Sequence, residues 1–237
     1  VRFSDFDILS HAVVQTLRIS TPTVVESLLG RVDREVCDAR LVSWSRKLLE
    51  RAHVALEIRG REHVAAGEVY LVMSNHHSLY DIPVLFQAFP GTLRMVAKTE
   101  LFRVPIWGAA MRASGFVEID RGHRERARES LRLARERMCR ERISIWIAPE
   151  GTRSRDGRLG AFKKGPFHLA VDAGLPVLPA TIVGTFQVLQ KGGERVARGA
   201  PVRVTFHPPI DPATYGGDRD ALSADVRRAI ASAMPSP

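Results

Sequence analysis

The hydrophobic positions of this 237-residue chain change their period near residue 60. Before it they recur every three to four positions: Phe6, Leu9, Val13 and Leu17, then Val24, Val25, Leu28, Leu29 and Val32, then Leu41, Trp44, Leu48, Ala52 and Leu56. That spacing predicts three amphipathic helices. The second would open at Thr21-Pro22, an N-cap residue followed by proline at the first helical position. Such stripes either pack on the rest of the protein or lie in a bilayer interface. Beyond residue 60, short apolar runs at 69–73, 93–97, 115–119, 143–147, 177–183 and 202–206 alternate with helical stretches near 82–89, 104–113, 123–141, 165–173 and 220–233. On the longest of these helices Ala127, Leu131, Ala134 and Met138 make a core-facing stripe beneath a row of arginines. The alternation predicts an α/β fold with a mixed, largely parallel sheet flanked by helices. It divides the chain into an N-terminal helical region, 1–60, and an α/β domain, 61–237.

Composition narrows this picture. With 45% hydrophobic and 26% charged residues, the chain is neither collagen-like, disordered nor a polytopic membrane protein. Cys37 and Cys139 form no CxxC pair, which argues against a disulfide framework or zinc finger and suits a reducing compartment. Asp5 and Asp7 stand where a signal peptide would be basic, and no run of about 18 apolar residues exists. The expectation is a protein that touches a membrane without crossing it. Net charge is +9, and nearly all of the excess lies between residues 121 and 165. Concentration of this kind points to an anionic partner, or else to a solvated arginine face on one helix. No Phe, Trp or Tyr interleaves the arginines from 121 to 145, which argues against nucleic acid. Only 5 lysines stand against 30 arginines. Lys98, Lys163 and Lys164 all fall beside the motifs below, where a compact point charge has a use.

Motifs for a serine nucleophile elbow, a P-loop, a zincin helix and a dinucleotide fold are absent. What stands out is Ser74-Asn75-His76-His77-Ser78-Leu79-Tyr80-Asp81, directly after an apolar run. Five residues apart on a straight helix, His76 and Asp81 would diverge by about 140°. They meet if His76 lies in the strand-to-helix turn and Asp81 in the first helical turn, and Pro83 marks such a start. Asp81 would then accept from His76 Nδ1 and leave Nε2 as a base. Taken alone, the pair is a weak signal whose default reading is a helix cap. His77 is expected to face solvent or a carbonyl rather than a metal, since no second ligand pair has suitable spacing. Pro149-Glu150-Gly151-Thr152-Arg153-Ser154 also follows an apolar run, with Phe162-Lys163-Lys164-Gly165 beyond it. Its glycine and threonine let backbone N–H groups approach an anion, and Arg153 offers a fork for phosphate oxygens. Two further stretches are Lys98-Thr99-Glu100-Leu101, continuing to Gly115-Phe116-Val117-Glu118-Ile119-Asp120-Arg121, and Pro176-Val177-Leu178-Pro179.

These four blocks, in their order along the chain, resemble the bacterial 1-acylglycerol-3-phosphate acyltransferases of the glycerolipid acyltransferase superfamily. The likeness runs from about residue 60 to 210; Ala148 departs from it, where the family carries an aromatic before PEGTR. The resemblance implies the fold of that superfamily with an N-terminal helical membrane-docking element. It implies transfer of a fatty acyl group from an acyl thioester, acyl-coenzyme A or acyl-carrier protein, to the sn-2 hydroxyl of lysophosphatidic acid. His76 is the implied general base and Asp81 its partner, while Lys98, Arg121, Glu150, Gly151, Thr152 and Arg153 bind the acceptor and its phosphate. Neither metal nor bound cofactor is expected, because a thioester is already activated. Oxyanion donors are expected among backbone amides at 75–78 or around Lys98. Trp107 and Phe102 line an acyl groove, face the membrane or pack in the core. The expected location is the cytoplasmic face of the inner membrane, peripheral or monotopic, against an anionic surface and without nucleic acid. Glycerol 3-phosphate or another lysolipid is the alternative acceptor, and a non-enzymatic basic module binding anionic membranes is the alternative of a different class.

Overall fold

In a computed structural model of the chain, which describes residues 3–120, 122–193 and 195–235, successive residues of the central strands face opposite sides of one sheet. On β2 (Leu71–Ser74), Val72 enters one core while Leu71 and Met73 enter the other; on β5 (Ser144–Ile147), Trp146 opposes Ile145 and Ile147. Because helices cover both faces, these strands read in sequence as unbroken apolar runs. With β3 (Leu93–Lys98), β4 (Val117–Ile119) and β6 (Val177–Val183), they form a parallel set ordered β6-β2-β5-β3-β4. Next to β6 runs β7 (Pro201–Phe206), antiparallel, and β1 (Ala55–Arg59) closes that edge parallel to β7. The sheet is therefore mixed and largely parallel.

One face carries α1 (Phe3–Leu28), α2 (Arg34–Arg51), α3 (Asp81–Ala88) and α5 (Trp107–Ala113), which enclose a core with Val72, Met95, Trp146 and Leu178. The short helix α4 (Thr99–Phe102) leads from β3 toward α5. The opposite face carries α6 (Arg124–Glu141), α7 (Gly165–Ala173) and α9 (Arg219–Ser232), packed on Met73, Val96 and Ile145. A one-turn helix, α8 (Thr185–Val188), follows β6. All five parallel strands end on one edge of the sheet, the edge where open α/β folds place their ligands.

Three sequence expectations change. Helix α1 runs unbroken through Pro22, so Thr21-Pro22 does not start a second helix. Packing against α2 and α5 holds the turn that proline would otherwise weaken, and Thr23 Oγ donates to Ile19 O at 2.8 Å. The third stripe ends at Arg51; Leu56 and Ile58 reach the core from β1 at alternate positions, so the end of the segment read as helical is an edge strand. Finally, the helix expected at 104–113 begins only at Trp107, after a turn at Ile106 that separates it from α4. Ile106 sits at φ 63°, ψ −58°, in a γ-turn closed by Trp107 N–H donating to Pro105 O at 2.6 Å.

Candidate active site

The loop leaving β2 is built around two carboxylates. Asp81, at the start of α3 and wholly buried, accepts three hydrogen bonds on Oδ2: from the His77 N–H at 2.7 Å, the Ser78 N–H at 2.9 Å and His76 Nδ1 at 2.7 Å. A carboxylate only accepts, so Nδ1 carries the proton and the Nε2 lone pair is left exposed. Trp146 meets the His76 ring edge-on, with centroids 5.4 Å apart, and Trp146 Nε1 is itself fixed by Ser74 Oγ at 2.9 Å. The imidazole thus has one tautomer and one orientation.

Glu150 braces the same loop from the other side. Its Oε1 accepts from the His76 N–H at 2.8 Å and Oε2 from the Gly160 N–H at 2.7 Å. Burial pushes its carboxyl pKa up, and those two N–H bonds pull against the rise. The sequence placed Glu150 among the groups that bind the acceptor; in the structure each of its oxygens also accepts one backbone N–H. Ser154 N–H adds a bond to His76 O at 2.8 Å, joining the two motif loops. The amides of residues 76, 77 and 78 all bond to carboxylates, so they are not available as the oxyanion donors expected at this turn.

His77 also differs from expectation. It is buried rather than solvent-facing, with Asn75 Nδ2 at 3.3 Å and the Phe186 ring edge-on at 6.4 Å. Burial holds its pKa below the ordinary 6.5. Asn75 spends its amide on the neighbouring strand, donating to Ile182 O at 2.7 Å and accepting from Ile182 N–H at 2.8 Å, a pairing that backbone would otherwise make. Ser78 Oγ accepts from Tyr80 N–H at 3.2 Å and donates to Leu189 O at 2.7 Å.

The cations lie at the ends of neighbouring strands. Arg153, part-buried in the loop after β5, directs its guanidinium to no described residue, while Gly151 takes φ 70° beside the Lys163 stem. Lys98 ends β3 and lines a polar cavity of about 210 Å³ with Thr99, Glu100, Arg103, Asp120 and Gly122. Arg121 lies outside the described residues. Thr152 is exposed, and its hydroxyl accepts from Lys191 Nζ at 2.8 Å. Sequence reading passed over Lys191, although its signal was the same lysine scarcity that marked Lys98. A second cavity, apolar and about 250 Å³, lies between α1–α2 and α3–α5, lined by Ile19, Leu41, Trp44, Ile82, Trp107 and Met111 among others. Arg40 reaches its wall, held by Glu26 at 2.5 and 2.6 Å and by Thr23 at 3.0 Å. Phe102 is buried in the adjoining core, so only Trp107 of that pair lines the cavity. Among the described residues no group of three or more His, Cys, Asp or Glu could hold a metal ion.

A family model described as Acyltransferase matches residues 55–183. A chloroplastic 1-acyl-sn-glycerol-3-phosphate acyltransferase of Brassica napus is 36% identical over 179 residues, covering 75% of this chain and 50% of that protein. The human 1-acyl-sn-glycerol-3-phosphate acyltransferase alpha is 31% identical over 180 residues, covering 75% of this chain and 62% of that protein. The chain therefore spans about half, and in the human case under two thirds, of these curated relatives. The crystal structure of the 1-acyl-sn-glycerophosphate acyltransferase PlsC of Thermotoga maritima superposes with a TM-score of 0.83 at 26% identity, covering 99% of this chain and 97% of that one.

Proposed function

The chain belongs to the acyltransferase family, whose model spans just over half of it, and from that premise we propose that it acylates the sn-2 hydroxyl of lysophosphatidic acid to give phosphatidic acid. The observation that carries this reading is the His76–Asp81 pair, with Nδ1 donating at 2.7 Å to a carboxylate that two backbone N–H groups hold in place. The named activity of the relatives supports the acceptor.

His76 Nε2 takes the proton of the acceptor hydroxyl as that oxygen bonds to the thioester carbonyl carbon. The tetrahedral intermediate then collapses, the C–S bond breaks, and the departing thiolate takes the proton back from the imidazolium to leave as a free thiol. Asp81 stabilises the imidazolium while it exists. The thioester, from acyl-coenzyme A or acyl-carrier protein, brings its own leaving group, so the step calls on no nucleophilic side chain, metal or bound cofactor. Arg153, Lys98 and Arg121, with Gly151 and Thr152 shaping the loop after β5, supply charge for the acceptor's phosphate. The apolar cavity beneath α1 and α2 takes a fatty acyl chain.

The outer side of α1 exposes Val13, Val14, Leu17, Val25 and Leu28, and the γ-turn beside α5 exposes Val104 and Ile106. We assign this surface to a peripheral or monotopic contact with the cytoplasmic face of an anionic inner membrane, and no nucleic acid partner. No helix among the described residues is long and apolar enough to cross a membrane.

The test is purified protein with palmitoyl-coenzyme A and either lysophosphatidate or glycerol 3-phosphate, following thiol release and the lipid product. Lysophosphatidate is expected to be converted to phosphatidate, and His76→Ala to slow it on the order of 10²–10⁴-fold or more. Unchanged turnover in that variant would remove the base from the mechanism, and product from glycerol 3-phosphate alone would reassign the acceptor.

A further inference from the structure

Lys191 lies eight residues beyond the stretch that the family model matches, in the segment that follows α8. Its ammonium donates to Thr152 Oγ at 2.8 Å and to Arg153 O at 3.0 Å, across 39 and 38 residues of chain. The segment that carries it is pinned at two other points. Leu189 O accepts from Ser78 Oγ at 2.7 Å, and a turn closed by Gly193 N–H to Gln190 O at 3.0 Å, with Gly192 at φ 78°, sets where the lysine emerges. Since Ser154 N–H bonds to His76 O, three segments meet around one point: the loop after β2, the loop after β5 and residues 189–193.

The charges at that point are unbalanced. Among the described residues neither Lys191 nor Arg153 has a carboxylate partner, whereas Arg158 of the same loop lies 4.0 Å from Asp156. Holding a threonine hydroxyl and a carbonyl in place needs only a neutral donor. An ammonium at the backbone of a residue that bears a guanidinium adds like-charge repulsion to the empty site, and the sign reverses when an anion enters. An ammonium also has three N–H groups, and the two bonds above leave the third for a ligand.

We propose that Lys191 completes the phosphate subsite, positioning Thr152 and Arg153 and donating its third N–H to the phosphate of the acceptor. This rests on the acyltransferase reading, which it deepens: the site distinguishes a phosphorylated acceptor from an uncharged one through a residue outside the sequence blocks that mark the family.

The experiment compares the full chain with Lys191→Met and Lys191→Arg, using palmitoyl-coenzyme A with lysophosphatidate or with monoacylglycerol, which lacks the phosphate. Lys191→Met is expected to raise KM for lysophosphatidate about tenfold or more, with KM for the acyl donor within twofold of wild type. Its preference for the phosphorylated acceptor over monoacylglycerol should shrink by the same factor, and Lys191→Arg should restore most of both. A loss of kcat on both acceptors alike would reduce Lys191 to a brace for the loop and overturn the proposal, as would unchanged kinetics. Binding of glycerol 3-phosphate by calorimetry separates this from the activity itself. If wild type binds it but turns over no lysophosphatidate, the acyltransferase reading fails, while weaker binding by Lys191→Met would still support the subsite. If wild type shows neither binding nor turnover, both fail.

Discussion

Asp81 and Glu150 do the same physical work with different partners: each is a buried carboxylate that collects N–H donors and so fixes a loop. His77, four residues before Asp81, is a buried base with the opposite cost, because folding strips water from the form that would carry charge. Desolvation is the leading cause of its lowered pKa, and the same holds for His207, whose Nε2 meets Thr181 Oγ at 2.8 Å. Below the ordinary value of 6.5 the unfolded chain takes up protons that these native imidazoles refuse. Stability is therefore full above that value and is lost as pH falls through it. The urea midpoint should be lower at pH 5.5 than at pH 7.5, and His77→Gln should narrow the gap while His207 maintains part of it. A midpoint independent of pH in this window would mean that neither imidazole is held neutral. At this scale the sequence was legible where chemistry and chain proximity coincide: Pro83 marks the helix start that lets His76 and Asp81 meet. The brace role of Glu150 was not, because its partners are backbone N–H groups that every residue has. Nor was Lys191, whose partners lie 38 and 39 residues away.

Among elements, the connection between α2 and the sheet rests on Arg94, 2% exposed on β3. Its guanidinium bonds to Asp38 Oδ1 of α2 at 2.5 Å, to Leu93 O at 2.9 Å and, through Nε, to Ser114 O; Asp38 Oδ2 accepts from Thr92 Oγ at 2.6 Å. An arginine in a strand read as LRMVA looks like an outward-facing residue, and only the docking of α2 explains why it is inside. Asp38→Ala would leave this guanidinium buried with carbonyls alone, at a cost of roughly 3 kcal/mol, and would loosen α2 before the sheet melts. Limited proteolysis should then cut near residues 29–33 or within α2 sooner than in wild type, and an unchanged cleavage rate and midpoint would refute the anchor. Most helices were readable from their periods: 165–173 coincides with α7, and 123–141 differs from α6 by one residue. The failures share one cause, tertiary packing overriding a local signal. Pro22 is carried inside α1 by its neighbours, and the five-residue edge strand β1 continued the helical stripe of α2 by coincidence of spacing.

Across the whole molecule the excess of positive charge turns out to be two surfaces, not one. The arginines of α6 lie on the face of the sheet opposite α1, and several are matched locally: Arg132 to Glu129 and Glu136, Arg126 to Asp120, and Arg140 to Glu141. Arg153 and Lys163 belong instead to the loop after β5, at the strand-end edge with the His76 loop. Charge alone would have put the lipid on α6. The contact proposed above lies instead on α1, where Val13 is 59% and Leu28 83% exposed, over the cavity proposed for the acyl chain. Burying such side chains in a bilayer contributes about 25 cal/mol per Å² of apolar surface, whereas arginines already paired with glutamates on their own helix gain little by leaving them for lipid phosphates. The two surfaces can be changed separately. Replacing Val13, Val14 and Leu17 by serine should abolish co-flotation with liposomes containing phosphatidylglycerol and leave the urea midpoint nearly unchanged, since these positions face outward. Replacing Arg128 and Arg135 by glutamate should leave flotation intact. The reverse pattern would move the membrane contact to α6 and leave the acyl cavity opening away from the lipid it is meant to serve.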